Sequence, residues 1–154
     1  MERFVENRGD YLYLKLSGHF NIHELQPRFP VLLKMLIEER LSKVLIDCRE
    51  MSGSYSRADR YYINHWLADL NIEYMHYHLP QLKITSVLTR RMFDPEKFGE
   101  KLAMNRGLQV HNTMDIEDAY QWLGVAPVEV PASDNRPVFS YSPQKVTPTS
   151  PGPV

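Results

Sequence analysis

The sequence predicts an α/β domain in which four strand-helix units follow one another along the chain. Apolar residues alternate between a spacing of two, which is typical of strands, and a spacing of about 3.6, which is typical of helices. This alternation ends near Gly124, beyond which no apolar period is sustained. Successive strand-helix units predict a mostly parallel or mixed sheet with right-handed crossovers and packed helices.

The first unit begins with "YLYLKLS", in which Leu12, Leu14 and Leu16 fall on one face of a predicted half-buried strand. The apolar pair "FV" before it predicts a short additional strand. In "FPVLLKMLIEERL" the apolar residues recur at helical spacing, and Pro30 is allowed because it would lie in the first turn. A helix is therefore expected after the first strand.

The second unit begins with "KVLID", a short apolar strand that ends at Asp47. A serine-rich loop follows it, and a helix follows the loop. The apolar residues of this helix recur at i, i+3, i+4 and i+7, which predicts that they face the sheet. They are Ile63, Trp66, Leu67 and Leu70.

The third and fourth units are shorter. "KITSVLT" predicts a strand, and "DPEKFGEKLAMNRG" predicts a helix with Asp94 as N-cap, Pro95 at its first position and Gly107 just past its end. "LQVHN" predicts the last strand. The helix in "TMDIEDAYQWLG" is expected to stop at Gly124.

Composition narrows the classes of function. The 154 residues fit one domain, and a formal net charge of -1 provides no general attraction for nucleic acid. The single cysteine, Cys48, excludes an internal disulfide framework, so a cytoplasmic location is the default expectation. The charged N-terminus and the absence of about 20 consecutive apolar residues predict neither secretion nor membrane insertion.

The last thirty residues differ from the rest. Seven of the eleven prolines lie in 125–154, where they disfavour helices and interior strands. We therefore predict a domain over 1–124 and a Pro/Ser-rich flexible tail over 125–154. The segment "RPVFSYSP" leaves a second interpretation open, in which the tail adds as a strand to the edge of another sheet.

A central strand "KVLIDCREM" and a closing "IEDAYQWLG" helix resemble the STAS domain, and in particular its SpoIIAA-like branch, over residues 11–124. The resemblance implies a non-catalytic, cytoplasmic protein-interaction or signalling module. In the anti-anti-sigma factors of this family a partner kinase phosphorylates a serine after the central strand. Counting from Asp47, that serine matches Ser56, and Ser54 and Ser52 are further candidates.

Ser56 also has a purely structural interpretation, because "SRAD" places Asp59 three residues after it, as in a capping box. Arg57 and Arg60 oppose the helix macrodipole in the first turn, which predicts a compensating anion. An anion site formed by these arginines and the serine hydroxyls is thus a third hypothesis. It supports the alternative function, binding or sensing of a small anion, nucleotide or lipid.

The segment "RYYINHWLADLNIEYMHYHLP" holds more aromatic and methionine side chains than one buried stripe requires. Such residues are enriched at contact surfaces. We therefore predict an interface for a partner protein, or for a second copy in a homodimer. The candidate interface residues are Tyr62, Tyr74, Met75 and Tyr77.

Catalytic and metal sites are not predicted. The pairs His19/His23 and His76/His78 lack a third ligand and a helical geometry that would align them. Cys48 is expected to face the core, and no Gly-x-Ser-x-Gly motif is present. The sequence therefore predicts no enzyme activity, no cofactor and no metal.

Overall fold

The computed structural model describes residues 1–127, and the predicted tail from 128 onward lies outside the described residues. In the described part, the strands are β1 (Glu2–Asn7), β2 (Leu12–His19), β3 (Lys43–Ser52), β4 (Lys83–Val87) and β5 (Gln109–Thr113). The helices are α1 (Ile22–Leu25), α2 (Arg28–Glu39), α3 (Arg57–Met75), α4 (Phe98–Asn105) and α5 (Ile116–Leu123).

The strands form one mixed sheet in the order β1-β2-β3-β4-β5. β1 pairs with β2 in antiparallel orientation, and the other three pairings are parallel. The predicted α/β fold is thereby confirmed. The predicted short first strand is β1, which has six residues and lies at the edge of the sheet. Each parallel strand lies beside the strand that precedes it in the chain. Right-handed crossovers between such strands place all the intervening helices on the same face of the sheet.

The sheet carries a hydrophobic cluster on each face. Helices α1, α2, α3 and α4 contribute to the larger cluster, whereas α5 packs on the opposite face. The first part of β2 is consequently buried on both faces: Tyr13 is only 7% exposed, and Tyr11, just before the strand, is only 1% exposed. The prediction of a half-buried strand was wrong because α5 folds back over the side that carries these tyrosines.

Strand β3 extends through Ser52, five residues beyond the predicted end at Asp47. The added residues remain paired with β2 after a shift in register between Lys15 and Ser17, which lets His19 pair with Ser52. Such a bulge bends the strand and redirects its side chains. The loop between β3 and α3 therefore contains only residues 53–56.

Helix α4 begins at Phe98, not at the predicted Pro95. The Asp94 carboxylate accepts hydrogen bonds from the amides of Glu96 (3.0 Å) and Phe98 (2.9 Å), so it closes a separate turn before the helix. Lys97 then takes a left-handed conformation with φ of 57°. The predicted ends of α4 and α5 are confirmed, since Gly107 and Gly124 follow them with positive φ.

Candidate functional site

The three serines after Asp47 differ in their structural positions, although all three are exposed. Ser52 is the last residue of β3; its hydroxyl lies 3.2 Å from His19 Nδ1, and its carbonyl accepts from the Phe20 amide at 3.0 Å. Gly53 follows with φ of +94°, where a Cβ would lie 3.2 Å from the His19 ring. The expectation that Ser52 lies in a free loop was therefore wrong.

Ser56 begins α3 with a complete capping box. Its hydroxyl accepts a hydrogen bond from the Asp59 amide at 3.0 Å, and the Asp59 carboxylate accepts one from the Ser56 amide at 2.8 Å. The structural interpretation of Ser56 is thus confirmed. Phosphorylation of Ser56, Ser54 or Ser52 remains a prediction.

Tyr55, between these serines, ties the loop to the core. Its ring meets Phe20 edge-to-face with the centroids 4.7 Å apart, and its hydroxyl lies beside the Cys48 thiol. Burial, and then the neighbouring thiol, raises the pKa of Tyr55 well above its usual value. Sequence reasoning missed this anchor, because Phe20 lies after β2 and Cys48 lies within β3, and no local spacing links either residue to Tyr55.

The two arginines in the first turn of α3 have partners within the chain. The Arg57 guanidinium lies over the Phe98 ring at 4.2 Å, and Arg60 Nη2 donates to the Met92 carbonyl at 3.1 Å. The backbone amide of Phe98 contributes most to lowering the pKa of Asp94, and the charges of both arginines contribute to the same shift. The anion that the arginines require is therefore supplied in part by Asp94, and binding of an external anion remains a prediction.

The buried face of α3 is rotated from the predicted one. Leu67 and Leu70 are buried as expected, but Ile63 and Trp66 are only half-buried. The fully buried positions are Asn64, Leu67, Ala68, Leu70, Asn71 and Tyr74. The rotation follows from α4, which packs beside α3 where a Cβ on Gly99 would lie 2.3 Å from Asn64 Nδ2.

As a result, aromatic rings gather on the outer side of α3. We call Phe29, Tyr61, Tyr62, His65 and Trp66 the α3 aromatic patch. Tyr62 stacks on Trp66 with the centroids 6.1 Å apart, and Trp66 in turn meets Phe29 at 5.6 Å. Tyr61 stacks on His65 at 6.0 Å, and its ring meets Tyr62 edge-to-face at 5.5 Å. Tyr61 is 47% and Tyr62 50% exposed, so the rings form one connected surface.

The predicted interface residues divide into two groups. Tyr62, Met75 and Tyr77 are exposed, as an interface requires. Tyr74 is 1% exposed, and its hydroxyl donates to the Leu41 carbonyl at 2.9 Å. Tyr74 is therefore a core residue and not a contact residue, because α3 continues to Met75 and keeps Tyr74 on its buried face.

A polar network occupies the other face of the sheet, at Asp47. The Tyr13 hydroxyl donates to Asp47 Oδ2 at 2.7 Å, while Arg49 donates from Nε at 2.9 Å and from Nη2 at 2.8 Å. Burial is the largest single effect on the pKa of Asp47 and raises it, but the hydrogen bonds from Arg49 and Tyr13 together outweigh it and lower the pKa. Arg8 covers the Tyr13 ring at 3.7 Å.

A histidine in the middle of β5 lies between two carboxylates. His111 Nε2 lies 2.6 Å from Asp118 Oδ2, and its Nδ1 lies 4.0 Å from Glu100 Oε2. The Trp122 ring stacks on the imidazole with the centroids 5.2 Å apart. The hydrogen bond from His111 is the largest cause that lowers the pKa of Asp118. This arrangement anchors α5 to the sheet, and the Thr85 hydroxyl donates to the His111 carbonyl at 2.8 Å.

Cys48 lies in the core, as the sequence predicts, and is 2% exposed. Burial, and then the charge of Asp47, raises the pKa of its thiol to about 12. Since the thiolate is the nucleophile, Cys48 is unreactive at neutral pH.

No family model and no curated protein matches the chain. The chain is similar in structure to an anti-sigma factor antagonist from Mycobacterium paratuberculosis, with a TM-score of 0.48 and 10% sequence identity. The match covers 80% of this chain and 93% of that protein. Within residues 1–127, none of the helices has the length and apolar character needed to cross a bilayer.

Proposed function

We propose that this chain is a non-catalytic protein-interaction module and that the α3 aromatic patch binds a partner protein. The observation that supports this most directly is the exposure of Tyr61 and Tyr62, about half of each side chain, on the outer side of the longest helix described. Met75, the last residue of the same helix, and Tyr77, two residues after it, are also exposed. Aromatic and methionine side chains are enriched at protein interfaces.

The geometry of the patch favours binding over mere exposure. Each of the two tyrosine rings already stacks on a neighbour one turn away, so binding would immobilise little additional side-chain freedom. The capping box at Ser56 and the packing of α3 on α4 fix the helix that carries the rings. A partner with an apolar or aromatic surface of its own would therefore meet a preformed site.

We also propose that phosphorylation near the start of α3 regulates this binding, in the cytoplasm. Ser56 is exposed and lies five residues before Tyr61, so a phosphate there would lie close to the patch. It would face the first amides of the helix and the Arg57 guanidinium, which favour negative charge. It would also replace the hydroxyl cap, so the start of the helix would change. Support for the cytoplasm comes from the buried, unpaired Cys48.

The experiment that tests this function uses the full chain with a photo-crosslinking residue at position 62, expressed in its own cells. We expect one crosslinked partner, and we expect the affinity of the purified pair to fall at least about tenfold in a Tyr61→Ala/Tyr62→Ala variant, since tyrosines are common hot spots. Met114→Ala is the matched control, because Met114 is 48% exposed but precedes α5 on the other face.

Three outcomes are informative. Equal affinity of the tyrosine variant and the parent chain would refute the α3 aromatic patch as the binding surface. A crosslink between two copies, with a mass that doubles with concentration in light scattering, would identify the partner as a second copy of this chain. Mass spectrometry of the same preparations tests the regulation, which requires phosphate on Ser56, Ser54 or Ser52.

A further inference from the structure

A cavity of about 70 Å³ lies between the sheet and helices α2 and α3. Its walls are almost entirely apolar, with leucines from β2, α2 and α3 facing one another across it. The apolar lining residues include Leu14, Leu16, Leu32, Met35 and Leu67. A water molecule needs about 10–15 Å³ of such volume, so the cavity has room for about five to seven water-sized groups. Apolar cavities of this kind tend to stay dry and to accept apolar ligands.

Two arginines stand where this cavity meets the surface. Arg3 and Arg28 line the cavity and also an open depression outside it, together with Glu24, Pro27 and Val31. Arg3 pairs with Leu16 in the sheet and is two residues from Val5, which is 3% exposed. Its side chain is therefore on the face of β1 that the helices cover, where a charge is costly unless something pairs with it.

The two arginines differ in their partners: the charge of Arg28 is close enough to Glu24 to help lower the pKa of that carboxyl, whereas Arg3 has no such carboxylate among the described residues. Arg28 donates to the carbonyls of Glu24 and Met1, which are neutral groups. Within residues 1–127, the Arg3 guanidinium forms no hydrogen bond and no ion pair. Burial, and then the like charge of the neighbouring Arg28, lowers the pKa of Arg3. Two carboxylates, Glu2 and Glu24, line the depression at this mouth, and Glu24 is bound at 2.9 Å by the amino group of Met1.

We propose that the cavity binds an amphipathic monocarboxylate, whose short hydrocarbon tail fills the apolar space and whose carboxylate pairs with Arg3 beside Arg28. The cavity volume limits the tail to a number of carbons close to the number of water-sized groups it can hold. The guanidinium fork of Arg3 suits a carboxylate, and partial burial strengthens the pair. This site is separate from partner binding at the α3 aromatic patch, although Phe29 borders both.

A different role for Arg3 must be distinguished. A charge that points inward on an edge strand can protect that edge against pairing with other chains. That role requires the charge and the edge but no ligand. Arg3 would then be indifferent to carboxylates, and the cavity would be only a defect in packing.

The test is calorimetric titration of the full chain with sodium octanoate, 1-octanol and sodium acetate. We expect saturable binding of octanoate, weaker binding of octanol and none of acetate. In Arg3→Gln the affinity for octanoate should fall about tenfold or more, as expected for the loss of a charge-assisted hydrogen bond. The affinity of the same variant for octanol should differ from that of the parent chain by less than about twofold. Lys34→Gln is the control, because the Lys34 side chain lies on α2 but is 74% exposed.

Methyl chemical shifts provide a second measurement that needs no variant. Octanoate should move the methyl signals of Leu14, Leu16 and Met35, whereas Met104, 60% exposed on α4, should not move. Absence of saturable octanoate binding, shifts confined to other methyl groups, or equal affinity of parent and Arg3→Gln would each overturn the proposal. None of these results bears on partner binding, whose test uses positions 61 and 62.

Discussion

At the residue scale, Ser56 determines where α3 begins, and thereby where the α3 aromatic patch lies. Its side chain and that of Asp59 each accept a hydrogen bond from the other's backbone amide. Tyr61 and Tyr62 follow within two turns of this cap. Any change at Ser56 would therefore affect both the stability of the helix start and the surface proposed to bind a partner.

We expect Ser56→Ala to lower the free energy of unfolding by about 1 kcal/mol, the usual contribution of an N-cap hydroxyl. Urea denaturation measures this difference. Ser54→Ala is the matched control, since Ser54 is exposed in the same loop and does not cap the helix. If both variants lost the same free energy of unfolding, the loss in Ser56→Ala would come from a general effect on the loop and not from the missing cap.

The partners of single residues could be predicted only where they are close in the chain. The Ser56–Asp59 pair is evident from its spacing of three. Arg57 and Arg60 could be recognised as cations in an unfavourable place, but their partners, the Phe98 ring and the Met92 carbonyl, belong to the next unit of the fold. No local pattern in the sequence links residues that far apart.

At the element scale, the close approach of α3 and α4 decides which face of α3 is buried. The Asn64 side chain donates to the Arg60 carbonyl at 2.8 Å and lies against Gly99, where α4 has no side chain. The apolar pattern of α3 alone predicted a sheet-facing stripe that includes Ile63 and Trp66. The stripe is rotated because a second helix, not only the sheet, covers α3.

Gly99→Ala should test this contact. In most helices a Gly→Ala change is stabilising, by about 0.5–1 kcal/mol. Here a Cβ would meet Asn64 Nδ2 at 2.3 Å, so we expect a net loss of about 1–3 kcal/mol in urea denaturation. The double variant Asn64→Ala/Gly99→Ala should lose less than the sum of the single variants. Strict additivity would argue against direct contact.

At the scale of the whole molecule, the sheet separates two hydrophobic clusters of different size. Helices α1 to α4 cover one face, and α5 covers the other, where the Asp47 network and the contact between His111 and Asp118 also lie. The order of strands and helices could be predicted, because each unit carries its own period. The side on which α5 packs could not, since the residues it covers, Tyr11 and Tyr13, resemble exposed strand residues in the sequence.

The Asp47 network should make global stability depend on acid. In the folded chain the pKa of Asp47 is lowered below the value of about 3.9 for an unfolded aspartate. The contribution of the Asp47 carboxylate to the free energy of unfolding is therefore complete above that pH and is lost as pH falls through the folded pKa. We expect Asp47→Asn to be less stable than the parent chain at pH 7 by about 1–3 kcal/mol. The difference should shrink below pH 4.

Urea denaturation of both chains at pH 7, 5, 4 and 3 measures this difference, and the carbon chemical shift of the Asp47 carboxyl reports its titration directly. Tyr13→Phe removes one donor to Asp47 and should raise that pKa without removing the charge. A gap between parent and Asp47→Asn that stays constant from pH 7 to pH 3 would contradict the prediction.

The sequential strand order has a consequence for synthesis. Because every strand pairs with the one made just before it, no strand has to wait for a partner encoded far downstream. Pairing of strands that are neighbours in the chain keeps the sequence separation between paired segments lower than a shuffled strand order would, and lower separation favours faster folding. The sheet can therefore grow strand by strand as the chain leaves the ribosome. Helix α5 comes last and covers the tyrosine face after the other units have assembled.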